Sequence, residues 1–231
     1  MRTDILTKKQ KLLLELINKF GVITIQQTIE YLKGEISFKT IYTSKARLSD
    51  LQFIEEVKFG NHLILYIKEA GTVYLDSKLA GYTRISYTTL QHTLTTNDCL
   101  IATRKIYQDR NIDCNFITER ELRREYVDNH FPDGIVDFKK LRHVSQDFPD
   151  FVIEESDGSR TANEVELNAK SKARYEKKFK RYQMEIQKGV YKKVIYMVPN
   201  HYISNAVQKE GYVYLDATHL KIIPIDKVIK K

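Results

Sequence analysis

Residues 149–172 read PDFVIEESDGSRTANEVELNAKSK, and this stretch decides the fold of the C-terminal half. Phe151 to Glu155 and Thr161 to Leu167 are strand-like, and Asp157-Gly158 between them is the dipeptide that a tight hairpin turn requires. A strand repeats every two residues, so Ala162, Glu164 and Glu166 share one face while Asn163, Val165 and Leu167 share the other. Two carboxylates therefore point the same way, with Asp150 just ahead of the preceding strand. Hard oxygen donors in this arrangement suit Mg2+ or Mn2+, and such an ion can polarise a phosphate and lower the pKa of an attacking water. The plainer alternative is that Val165 and Leu167 face the core and the glutamates are merely solvated.

Past this stretch, Lys170 to Lys188 has helical periodicity. Tyr175, Phe179, Tyr182 and Ile186 form an apolar stripe, and Lys170, Arg174, Lys177, Arg181 and Lys188 cluster opposite it. Lys172 lies at the edge of the stripe, where it is expected to steady a phosphate oxygen or to snorkel beside the core. Between Ala169 and Lys193 stand ten basic residues against Glu176 and Glu185, which equals the whole formal excess of +8. A positive field on one segment can collect a polyanion by counterion release, with Lys170, Arg174, Lys177 and Arg181 as backbone contacts; a solvated helix face is the alternative. Lys193 to Val198 then reads as strand, His201 to Lys209 as helix, and Tyr212 to Asp216 and Leu220 to Ile225 as strands. The expected result is a mixed sheet with helices against it.

Towards the N-terminus, apolar spacing predicts a helix over 4–19, stopped by Gly21, then a short strand at Val22-Ile23-Thr24 and a helix from Gln26 to Lys33. Ser37 can cap a third helix to Leu51, and Phe53 to Lys68 reads as two strands turning at Gly60-Asn61. Helix, strand, helix, helix and a two-stranded wing is the order of a winged helix-turn-helix. Its third helix would present Lys39, Thr40, Thr43, Ser44, Lys45 and Arg47 to a major groove while Ile41, Leu48 and Leu51 pack inward, with Lys58 and His62 on the wing. Protein docking is an alternative use of such a module. Lys78 to Asp113 is helical in pattern and reads as a connector. Thr118-Glu119-Arg120-Glu121 fits a capping box opening a helix to about Asn129.

The whole chain is therefore read as α+β: a winged helix domain over 1–76, a helical connector over 77–112, and a mixed α/β domain over 113–231. Its 231 residues hold two cysteines, Cys99 and Cys114, in no zinc-like spacing. P-loop, HExxH, GxSxG and His-x-His patterns are missing, and no apolar run reaches the length of a membrane span, so a cytoplasmic protein with no span is expected. The start, Met1 to Asp4, leads into an amphipathic segment without a signal-peptide core.

Pro149-Asp150 followed by Glu164-Val165-Glu166 resembles the PD-(D/E)xK nuclease pattern, which implies a restriction-endonuclease-like domain with Asp150, Glu164 and Glu166 as metal ligands. Glu166 stands where that family usually has lysine, so the lysine is either replaced or supplied by Lys172 or Lys170. Over most of the chain, the N-terminal module, His92-Thr93-Leu94, Thr118 to Arg123, Phe148-Pro149-Asp150 and Glu164 to Leu167 before a basic helix resemble the replication-relaxation family with its MobC-type plasmid relaxases. That resemblance implies site-specific, metal-dependent nicking at a plasmid transfer or replication origin, other mobilisation proteins as partners, and a role for Glu119. Three functions stay open: a nickase, a DNA-binding regulator or replication accessory that has lost turnover, and a restriction-type or repair nuclease.

Overall fold

The computed structural model describes residues 5–131 and 148–229; the start, Met1 to Asp4, lies outside them. The chain is a mixed α+β protein that divides into two compact units, 1–97 and 98–231.

The first unit begins with α1 (Lys8–Phe20), which opens on a reciprocal capping box between Thr7 and Gln10. Gly21 ends it at φ 75°, a backbone angle that favours glycine. β1 (Val22–Thr24) leads directly into α2 (Ile25–Tyr31), where Thr24 and Gln27 form a second capping box. α3 (Phe38–Asp50) starts at Ser37, whose side chain accepts from the Thr40 N–H, and buries Ile41, Ser44 and Leu48. β2 (Ile54–Phe59) and β3 (His62–Ile67) are antiparallel, and β1 joins the far side of β3 in the order β1-β3-β2.

Two features depart from expectation. A short helix, α4 (Glu69–Tyr74), follows β3, and the next helix, α5, covers Tyr87–Asp109, later than the periodicity at Lys78 suggests. Residues 77–86 instead run against the end of β3: the Tyr82 N–H donates to the Ile67 carbonyl at 2.9 Å. A Cβ on Gly81 would lie 2.3 Å from the Glu69 nitrogen, so backbone meets backbone there. Ile85, Leu90 and Leu94 then complete a core with Val22, Ile64 and Tyr66. The segment expected to be a connector over 77–112 is thus divided, its first part finishing the core of the first unit.

The second unit is built on a five-stranded sheet in the order β4-β5-β6-β7-β8. β4 (Cys114–Thr118) precedes α6 (Glu119–His130), which Thr118 and Glu121 open with a third capping box. β5 (Phe151–Glu155) and β6 (Arg160–Val165) form the expected hairpin, with Gly158 at φ 80° and Asp157 accepting from the Ser159 N–H. β5 is antiparallel to both of its neighbours, β4 and β6. α7 (Lys172–Gln187) then carries the chain over to β7 (Lys193–Val198), which is parallel to β6. α8 (His201–Gly211), capped by Asn200, leads to β8 (Leu220–Pro224), parallel to β7, and α9 (Ile225–Val228) follows.

One sheet face, through Val152, Ala162, Val194, Tyr196 and Leu220, packs with Tyr175, Phe179 and Tyr182 of α7 and Ile203 and Val207 of α8. Tyr212 to Asp216 is a turn, not the strand its alternation suggested. Leu215 alone is buried there, Tyr212 and Val213 stay exposed, and β8 takes the sheet-edge position that a strand would need.

Candidate functional site

Glu164 and Glu166 lie at the C-terminal end of β6, on the face that Ala162 shares with α7. Neither is solvated: their exposures are 3% and 5%. Both faces of β6 are covered, so the alternation that seemed to leave the glutamates in water instead places them under a helix. Buried carboxylates require partners. Lys178 of α7 supplies one, its Nζ 2.5 Å from Glu164 Oε2. The Tyr182 hydroxyl donates to the other Glu164 oxygen. Lys170 Nζ lies 2.5 Å from Glu166 Oε2, an ion contact without the alignment of a hydrogen bond. Two carboxylates and two ammonium groups thus balance in one cluster.

The two glutamates titrate in opposite directions. Burial penalises ionised Glu164 most, but the charges of Lys178 and Lys170 and the bonds from Lys178 and Tyr182 hold its carboxyl below the usual range. For Glu166, burial outweighs Lys170 and Lys178, Glu164 adds repulsion, and its carboxyl is pushed up. Tyr182 is raised well above the ordinary phenol range, by burial first and then by Glu164. Tyr196, opposite Glu164 in the parallel register, is raised by burial and both glutamates, and its fully buried hydroxyl makes no hydrogen bond among the described residues.

Asp150 joins three elements. Its Oδ2 accepts from the Val165 N–H at 2.7 Å, and its carbonyl accepts from the Glu119 N–H at 3.1 Å at the start of α6. Among the described residues no three acidic, histidine or cysteine side chains form a group that could hold a metal ion. Asp150 is bonded to backbone, and each glutamate is already neutralised by a lysine, so this donor set does not fit the expected Mg2+ or Mn2+.

The other expected residues divide clearly. Lys172 is exposed on the first turn of α7, influencing Glu176 and reaching neither glutamate; position 172 turns outward where 178 turns in. Glu119 pairs with Arg123 one turn along α6 at 2.5 Å and stays apart from the glutamates. Arg181 is not an exposed backbone contact: it lies 4.7 Å over the Tyr182 ring and 3.5 Å from Glu185. Arg174 and Lys177 are exposed, as expected, whereas Lys170 is committed to Glu166. At least five of the ten basic residues between Ala169 and Lys193 are in ion pairs: Lys170, Lys178, Lys180, Arg181 and Lys192. The basic segment serves its own fold as much as any polyanion.

Lys178 is the residue that sequence reasoning missed. Its signal was present: Tyr175, Lys178, Phe179 and Tyr182 follow the i, i+3, i+4, i+7 spacing of a buried stripe, so a lysine sat inside the apolar face and needed an acid.

In the first unit, Lys39, Thr43 and Arg47 follow one another at four-residue spacing on the exposed face of α3, opposite buried Ile41, Ser44 and Leu48. Ser44 is thereby removed from the expected donors. Lys45 is removed as well, because its Nζ pairs with Glu56 of β2, which also accepts from Ser49 at 2.7 Å. Lys39 and Arg47 have no acidic partner among the described residues. No family model, curated protein or solved structure matches the chain.

Proposed function

We propose that this chain is a duplex-DNA-binding protein of a plasmid transfer or replication origin, with the first unit acting as a winged helix and α3 as its recognition helix. The observation that carries this reading is the α3 stripe: Lys39 and Arg47 stand exposed and unpaired on the face turned away from the core. Exposed cations on a helix that packs by its other face suit phosphate contacts flanking a groove. The antiparallel β4-β5-β6 set with a helical crossover to parallel β7 supports a nuclease-like fold for the second unit. Its acidic pair, closed by two lysines, supports a domain that holds DNA without cutting it. The setting follows from the likeness to the replication-relaxation family.

Binding is tested by titrating labelled duplex from the neighbourhood of the gene. Lys39→Glu combined with Arg47→Glu is expected to weaken binding at least about tenfold and to reduce the salt slope by about two, one per lost phosphate contact. Unchanged affinity and slope would remove α3 from the interface.

A second reading, site-specific nicking, is favoured by one observation: Lys178 brings to Glu164 the lysine that strand position 166 lacks. Supercoiled plasmid carrying the same DNA, incubated with Mg2+ or Mn2+, separates the two. Binding with the plasmid left closed supports the first reading. Nicks that disappear in both Glu164→Ala and Asp150→Asn would establish the second.

A further inference from the structure

The exposed face of α3 is more apolar than a phosphate-binding surface needs to be. Phe38, at the first position of the helix, is 59% exposed. Its ring lies 4.7 Å from that of Tyr42, one turn on, so the two brace each other outside the core. Thr43 is exposed, but its hydroxyl donates back to the helix, 3.1 Å from the Thr40 carbonyl and 3.3 Å from that of Lys39. Its methyl is therefore what it offers outward. Lys39 and Arg47 lie on the same exposed side as Thr43, one turn before it and one turn after it. The nearby acids on β2 are neutralised, Glu55 by Lys68 and Glu56 by Lys45, and Asp50 closes the stripe at its far end.

We infer that α3 reads duplex DNA by apolar contact, with Phe38, Tyr42 and the Thr43 methyl meeting the C5-methyl groups of thymines in the major groove while Lys39 and Arg47 hold the flanking phosphates. This rests on the proposed DNA binding and adds what is recognised. Among the base edges of the major groove, only thymine carries a methyl group, and an aromatic ring or a threonine methyl is a natural partner for it. Cation and apolar group have separate tasks: the former gives affinity to any duplex, the latter selects among duplexes.

The full chain is used to select its sites from a random duplex library, and each thymine of the selected site is then replaced by uracil, which lacks only the methyl. Affinity is expected to fall about three- to fivefold at each contacted thymine, the scale of one buried methyl. Phe38→Ala and Thr43→Ser should each erase the response to uracil at their own positions while the response at the other contacted thymines is kept. Because both side chains lie outside the core, both variants should unfold with the wild type. Uracil tolerated at every position, with site selection otherwise intact, would overturn the inference and leave the proposed DNA binding standing. A change of oligomeric state in Phe38→Ala with unchanged DNA preference would also overturn it, marking the aromatic pair as a protein contact. No duplex binding by the wild type would overturn both.

Discussion

At the scale of single residues, the Glu164–Lys178 pair sets the terms. Two charges removed from water contribute little net stability, but either one alone is costly, because the partner stays buried and unpaired. Lys178→Met is therefore expected to destabilise the protein by about 3–5 kcal/mol. Adding Glu164→Leu should recover much of that loss, and denaturant melts of the two variants check this. The pH dependence follows from the opposite shifts. Glu164, held below its ordinary 4.5, contributes stability that is present above that value and lost as pH falls through its folded pKa. Glu166, pushed above 4.5, works the other way, its contribution fading as pH rises through its folded pKa. Stability followed from pH 3 to 7 should thus fall less steeply on acidification in Glu164→Gln than in the wild type. A steeper fall in the variant would contradict the assigned shift.

At the scale of elements, small residues fix the close approaches. A Cβ on Gly71 of α4 would lie 2.4 Å from the Phe53 carbonyl oxygen, and one on Gly211 at the end of α8 would lie 2.4 Å from the Leu220 side chain. Gly71→Ala meets rigid backbone and should cost about 1–3 kcal/mol or more, whereas Gly211→Ala meets a side-chain methyl that can shift and should cost less. Thermal melts of both variants decide the order. Much of the element pattern was legible in the sequence because local chemistry dictated it. Ser37, Thr118 with Glu121, and Asp157-Gly158 each fix a boundary within a few residues of themselves. What was not legible depended on distant partners. Lys78 to Ser86 read as the start of a helix, yet the segment is irregular chain tied to the end of β3 through Tyr82. Tyr212 to Asp216 alternates like a strand, but β8 holds the available edge. The candidate site was legible in part: parity placed Glu164 and Glu166 together and helical spacing put Lys178 inside the apolar stripe of α7, but which acid that lysine meets depended on how the helix packs on the sheet.

At the scale of the molecule, the division between residues 97 and 98 changes what a domain experiment should look like. A fragment ending at residue 76 lacks Ile85, Leu90 and Leu94 of its own core, and it lacks Asn97, whose side chain donates to the Val22 carbonyl at 2.8 Å. It also loses the Leu94 carbonyl that Gln27 donates to at 2.8 Å. Residues 1–76 alone are expected to give broad, poorly dispersed amide spectra, and residues 1–97 a folded spectrum; equal dispersion in both would show that the later segment is dispensable. Charge is distributed at this scale too. Residues 1–97 hold 13 basic and 9 acidic side chains, and residues 98–231 hold 25 and 21, so each unit carries +4.

The two buried ion pairs also bear on how the chain chooses a single structure. A helix with an apolar stripe as narrow as that of α7 faces its sheet by one side, and the ion pairs narrow the choice further. Turning it by one residue, about 100°, would carry Lys178 away from Glu164 and strand a carboxylate in the core. Lys170, just before the helix, fixes Glu166 independently. Together they act as two keys in two locks, admitting one rotation of the helix and rejecting the rest, so their value lies less in the stability of the final fold than in its uniqueness.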